Sequence, residues 1–81
     1  VIRMEDKLKE FLRNKTGKPI IAICYRLEES SYKKNPGLAN MRAKEAVQNR
    51  ALRAGKSIEE IKIETLELDG FVYVKGWAAV E

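Results

Sequence analysis

Asp69-Gly70 stands between two runs of alternating polarity, residues 61–68 and 71–78, and that dipeptide leaves the backbone few choices. The two-residue hairpin turn whose twist suits its flanking strands needs positive φ at both central positions, and Asp-Gly supplies them cheaply. So short a turn sets the pairing. Leu68 faces Phe71, Leu66 faces Tyr73, Glu64 faces Lys75 and Lys62 faces Trp77. On the opposite surface Glu67 faces Val72, Thr65 faces Val74, Ile63 faces Gly76 and Ile61 faces Ala78. Strand side chains alternate, so one surface is apolar near the turn (Leu66, Leu68, Phe71, Tyr73) and the other is apolar farther away (Ile61, Ile63, Val74, Ala78). A single helical layer covers one face of a sheet, and the second apolar patch then calls for a partner.

The rest of the chain supplies that layer. Val1, Met4, Leu8, Phe11 and Leu12 recur at helical spacing and predict an amphipathic N-terminal helix over residues 1–16, an appendage to the remainder of the domain. Gly17 and Pro19 end it. Lys18 to Leu27 reads as a strand, with Ile21, Ile23, Tyr25 and Leu27 on one face and Ile20, Ala22 and Cys24 on the other. Residues 29–37 read as a loop by composition. Leu38 to Ala54 is rich in strong helix formers, and Gly55 closes it. Its small residues Ala39, Ala43, Ala46, Val47 and Ala54 gather on one side, fit to lie close on a sheet. Leu38, Met41 and Leu52 form a second stripe beside Glu45 and Gln48. Ser57-Ile58-Glu59-Glu60 has capping-box spacing and predicts a brief helical turn.

The expected fold is therefore α+β, in the order α-β-α-β-β over a single domain of residues 1–81. A right-handed crossover through the long helix, with the last strand slotted between the other two, gives a three-stranded sheet of order 1-3-2. This is a split β-α-β with a C-terminal hairpin and helices packed on one face.

Eighty-one residues bury only about two-thirds of their unfolded surface, so the core is marginal. Cys24 is the only cysteine, and no internal disulfide can supplement that core. Good packing or a second chain must supply the difference, and a homo-oligomer is expected. No apolar run reaches the roughly 18 residues of a membrane span, and residues 1–5 contain no signal-peptide core. Residence in the cytoplasm is the expectation, although a chain beginning at Val1 leaves room for a trimmed leader or anchor.

Chemistry is constrained chiefly by the absence of histidine from the sequence, which removes the usual general base and the commonest metal ligand. One cysteine without histidine makes no zinc ligand set. Cys24, mid-strand between Ile23 and Tyr25, reads as packing rather than as an activated thiolate. Gly55-Lys56-Ser57 has the look of a P-loop tail, but Arg50 stands where the first glycine belongs and a helix rather than a strand precedes it. The carboxylates Glu59, Glu60, Glu64, Glu67 and Asp69 are spread over two faces by strand alternation and make no calcium loop. No enzyme, no metal and no cofactor is expected.

Charge and aromatic placement carry the functional expectation. Residues 30–56 hold seven Lys/Arg and one Glu, whereas residues 57–81 hold two Lys and six Asp/Glu. A chain so divided has a built-in dipole suited to self-association, an acidic partner or a nucleic-acid backbone. Phe71, Tyr73 and Trp77 line one face of the last strand, an arrangement used both for subunit interfaces and for stacking bases. The RNA-recognition signature needs a basic residue before its glycine, and Asp69 stands there. The reading is a non-enzymatic interaction or assembly module that docks itself or another protein through its sheet. Leu66, Leu68, Phe71, Tyr73 and Trp77 are its expected interface, with Leu38, Met41 and Leu52 as the second choice. The alternative is a nucleic-acid binder using the basic loop and helix of residues 33–56, through Lys33, Lys34, Arg42, Arg53 and Lys56.

Overall fold

The computed structural model describes residues 4–81, with side chains from Asp6 onward. Val1 and the Met4 side chain, both assigned to the apolar stripe of the first helix, lie outside the described residues. The elements are α1 (Met4–Thr16), β1 (Ile20–Glu28), α2 (Glu29–Lys34), α3 (Pro36–Ala54), β2 (Lys62–Leu68) and β3 (Phe71–Ala79). The strands form one antiparallel sheet of order β1-β3-β2, the expected split β-α-β, with α2 and α3 packed on one side.

The hairpin forms as its turn dictates. Asp69 and Gly70 take φ of 52° and 80°, both in the left-handed region that this turn demands. The pairing runs from Leu68–Phe71 through Leu66–Tyr73 and Glu64–Lys75 to Lys62–Trp77. The predicted Ile61–Ala78 pair does not continue the ladder. Instead Ile58 bridges Val80, so residues 59–61 stand opposite only Ala78 and Ala79. The extra residue makes a bulge that ends the regular pairing.

The same segment corrects the predicted helical turn at residues 57–60. Its backbone is extended: the Glu59 N–H donates to the Ala79 carbonyl at 2.8 Å, and the Glu81 N–H donates to the Ser57 carbonyl at 2.9 Å. Tertiary partners for those backbone groups outweigh a capping signal worth only about 1 kcal/mol. The predicted loop is also corrected in its first part, where residues 29–34 form α2. Glu29 and Lys33 pair at 2.7 Å one turn apart, Tyr32 packs against the core, and the Glu29 N–H donates to the Gly70 carbonyl at 2.9 Å. Asn35 then caps α3, its side chain accepting from the Leu38 N–H at 3.1 Å, and Pro36 occupies the first turn.

The core lies between α3 and one face of the sheet. Val72, Val74 and Ala78 of β3 and Ile23 of β1 meet Ala43 and Val47. The buried stripe of α3 is Ala39, Ala43, Val47 and Ala51, a strict four-residue repeat. Ala46 packs at its margin, but Ala54 is exposed along with every residue from Leu52 to Ser57, because the last turn of the helix carries no cover. At Gly76 the sheet has little room for a side chain beneath α3. A Cβ there would stand 3.1 Å from Ile63 Cδ1 and 3.3 Å from Val47 Cγ2. Hydrogen bonds fasten α3 to β1: the Tyr25 hydroxyl donates to the Ala39 carbonyl at 2.6 Å, and Arg50 donates to the Ala22 carbonyl at 2.8 Å. The helix α1 packs against β1, where Leu12 is buried, while Phe11 of the predicted stripe remains 63% exposed.

Candidate interaction surface

Alternation along three registered strands sorts the sheet into two surfaces. The residues of β3 that point away from α3 are Phe71, Tyr73, Lys75, Trp77 and Ala79. Read across the sheet from β1 to β2, successive rows are Glu28–Phe71–Leu68, Arg26–Tyr73–Leu66, Cys24–Lys75–Glu64 and Ala22–Trp77–Lys62. All five predicted interface residues therefore share one face.

They do not form one continuous patch. Phe71 and Tyr73 are half-buried, and beside them Leu66 and Leu68 are 51% and 53% exposed. Two exposed leucines next to two aromatic rings make the apolar patch at the turn end of the sheet. The row of Cys24, Lys75 and Glu64 then interposes two charges before Trp77 is reached. Trp77 instead borders a cavity of about 70 Å³ shared with Thr16, Ile20, Lys62 and Ala79. At that end Ala22 is fully buried and Ala79 nearly so. Trp77 thus belongs to the covered end of the face, and the open end is carried by Leu66, Leu68, Phe71 and Tyr73.

Two residues absent from the predicted interface complete the open end. The Arg26 guanidinium lies over the Phe71 ring, 4.4 Å from its centroid, a cation–π distance that keeps the charge on the patch. Glu28 lies beside Phe71 in the same row and is exposed. The signal for both was present in the sequence, since residues 20, 22, 24, 26 and 28 share a strand face; what placed them was the 71–79 strand lying next to β1. Neither takes part in an ion pair among the described residues.

The second predicted stripe is broken up by position. Leu38 is half-buried and lines a shallow cavity of about 220 Å³ with Tyr25, Leu27, Ser31, Asn35 and Arg42. Met41 and Leu52 are 50% and 78% exposed, but eleven residues of helix put them about 16 Å apart with Glu45 and Gln48 between. They are isolated apolar side chains of an ordinary kind.

The basic residues are distributed along the whole helical layer. Lys33 and Lys34 lie on α2, Arg42 and Arg53 on α3, and Lys56 beyond its end. The 19 residues of α3 span about 28 Å, so the set has no focus. Lys33 is engaged by Glu29, whose hydrogen bond and charge raise the pKa of the ammonium. Arg42 lies near the Tyr25 phenol, whose pKa burial raises while Arg42 pulls it down. Among the described residues no three His, Cys, Asp or Glu side chains are grouped to hold a metal ion. No described helix is long and apolar enough to cross a membrane. No protein-family model, curated protein or solved structure matches the chain.

Proposed function

We propose that the protein is a small non-enzymatic assembly module whose docking surface is the turn end of the open sheet face. One observation carries this reading: Leu66 and Leu68 are both about half exposed and adjoin the half-buried rings of Phe71 and Tyr73 on a face with no described helix over that end. Scattered exposed leucines need no explanation, but a contiguous group on a flat strand surface, with a guanidinium laid across it, has the composition of an interface centre. Arg, Tyr and Phe are the residue types such centres favour, and Leu66 and Leu68 add apolar area. The basic residues of α2 and α3 then serve as solvated cover for the opposite side of the molecule.

Site-specific photocrosslinking tests the reading. With p-benzoylphenylalanine placed at Leu66, and in a second protein at Met41, irradiation in the cells that make the protein is expected to yield a discrete adduct from position 66 and none from position 41. An adduct from position 41 alone, or from neither, overturns the assignment of the docking face.

A further inference from the structure

We infer that the occupant of this face is a second copy of the chain, paired antiparallel across a two-fold axis; the inference rests on the docking surface proposed above. Charge placement decides it. Take two open faces packed as sheets pack, about 10 Å apart. Let the two-fold axis lie between them, perpendicular to the strands, and pass midway between the Phe71 row and the Tyr73 row. Each row then meets the other row of the second copy. Phe71 meets the partner's Tyr73, Leu68 meets the partner's Leu66, and Arg26 meets the partner's Glu28, with each contact repeated in reverse. The row of Lys75 and Glu64, one farther along, comes over the turn of the second copy, which carries Asp69, so that row adds one attraction and one repulsion and leaves the choice to Arg26 and Glu28.

The other face-to-face arrangement fails the same test. An axis parallel to the strands keeps every row in place and exchanges the two edges. Arg26 would then lie over the partner's Leu66, Glu28 over the partner's Leu68, and Lys75 over the partner's Lys75. Two charges would be desolvated without partners, and two ammonium groups would be opposed. The antiparallel arrangement satisfies both charges and keeps the four apolar residues together. An isologous contact needs a patch complementary to itself, and neighbouring rows bearing Glu28 and Arg26 provide that. A patch of four apolar residues and two ion pairs is small for a permanent dimer, so the dissociation constant is placed on the order of tens of micromolar.

The test is a charge reversal read by sedimentation equilibrium on the full chain from micromolar to millimolar concentration, with circular dichroism confirming the fold of each variant. Arg26→Glu sets carboxylates against carboxylates and is expected to weaken the dimer roughly tenfold or more. Glu28→Arg is expected to do the same. The double variant R26E/E28R restores the pairing with signs exchanged, and its dimer is expected to return to within about threefold of the parent. Three results would each overturn self-pairing in this arrangement: a parent chain monomeric at millimolar concentration, a dimer indifferent to R26E, or a loss that the double variant does not recover. The two levels separate cleanly. A monomeric pure chain whose position-66 photoadduct contains a different protein removes the self-pairing and leaves the docking face standing. Absence of any adduct from position 66 removes both.

Discussion

The contact at Gly76 allows the packing of α3 on the sheet to be tested by a compensating pair of substitutions. Val47 is fully buried, and its Cγ2 would stand 3.3 Å from a Cβ at position 76. Val47→Ala removes two methyl groups, costing about 1.6 kcal/mol at about 0.8 kcal/mol each. The hole, roughly 50 Å³, adds up to about 1.2 kcal/mol if the surroundings do not close in, giving about 2–3 kcal/mol in all. A domain of this length is stable by about 4–12 kcal/mol, so the variant stays folded but visibly weakened. Gly76→Ala alone pushes a methyl group against Val47 and Ile63 at 3.3 and 3.1 Å. Overpacking of that order costs about 1–2 kcal/mol, offset by about 0.4–1 kcal/mol from the stiffer unfolded chain. Together the two changes relieve one another, because the new methyl enters the space vacated by Val47 and only the flexible end of Ile63 must move. The double variant is expected to be more stable than the sum of the single changes predicts by about 1–2 kcal/mol. Urea unfolding followed by the fluorescence of Trp77, the only tryptophan, measures all four corners of the cycle. Additivity within about 0.5 kcal/mol would show that helix and strand do not meet as described.

Three further expectations rest on other contacts. Tyr25→Phe deletes the 2.6 Å hydrogen bond to the Ala39 carbonyl and should cost about 1 kcal/mol near neutral pH. Burial first, then Tyr32, raises the Tyr25 pKa above its ordinary 10.0 against the opposing pull of Arg42. Its contribution is thus full below pH 10 and is lost as pH climbs through the raised value, so in thermal melts the phenylalanine variant should lose less stability above pH 10 than the parent; equal alkaline slopes would refute this. Asn35→Ala removes the cap of α3 and should lower stability by about 1 kcal/mol in chemical denaturation, with Asn35→Asp largely sparing it. Arg42→Glu combined with Arg53→Glu reverses two charges of the helical layer, and light scattering should find association through the sheet face unchanged; a loss of association, or steeply salt-dependent binding of the parent to a random-sequence DNA duplex, would shift the functional surface to the basic side.

Legibility of the fold in the sequence followed the strength of local rules. The hairpin was readable residue by residue because Asp69-Gly70 admits one register, and the order of strands followed from handedness and connection rules. What escaped was decided by distant partners. Residues 57–60 match a helix-start pattern, yet their backbone bonds to β3. Residues 29–34 have loop composition, yet Tyr32 finds the core and the Glu29 N–H finds the Gly70 carbonyl. The candidate surface was legible as a face but not as a patch. Alternation put Trp77 with Phe71 and Tyr73, and only the arrangement across all three strands shows Lys75 and Glu64 dividing them and Arg26 and Glu28 joining the open end.

The central strand of the sheet is the last of the three to be synthesised. β1 and β2 are both edges, and neither pairs with the other. On the ribosome, β1 and α3 therefore emerge with each other but without the strand that pairs with β1, and the sheet waits until residues 71–79 have cleared the exit tunnel. When β3 arrives it completes two ladders and the floor beneath Val47 in one event. Closure of the sheet is thus a single late step rather than a gradual one. The exposed apolar stretch of β1, residues 20–25, spends that interval available to chaperones, or to a β3 already made by a neighbouring ribosome.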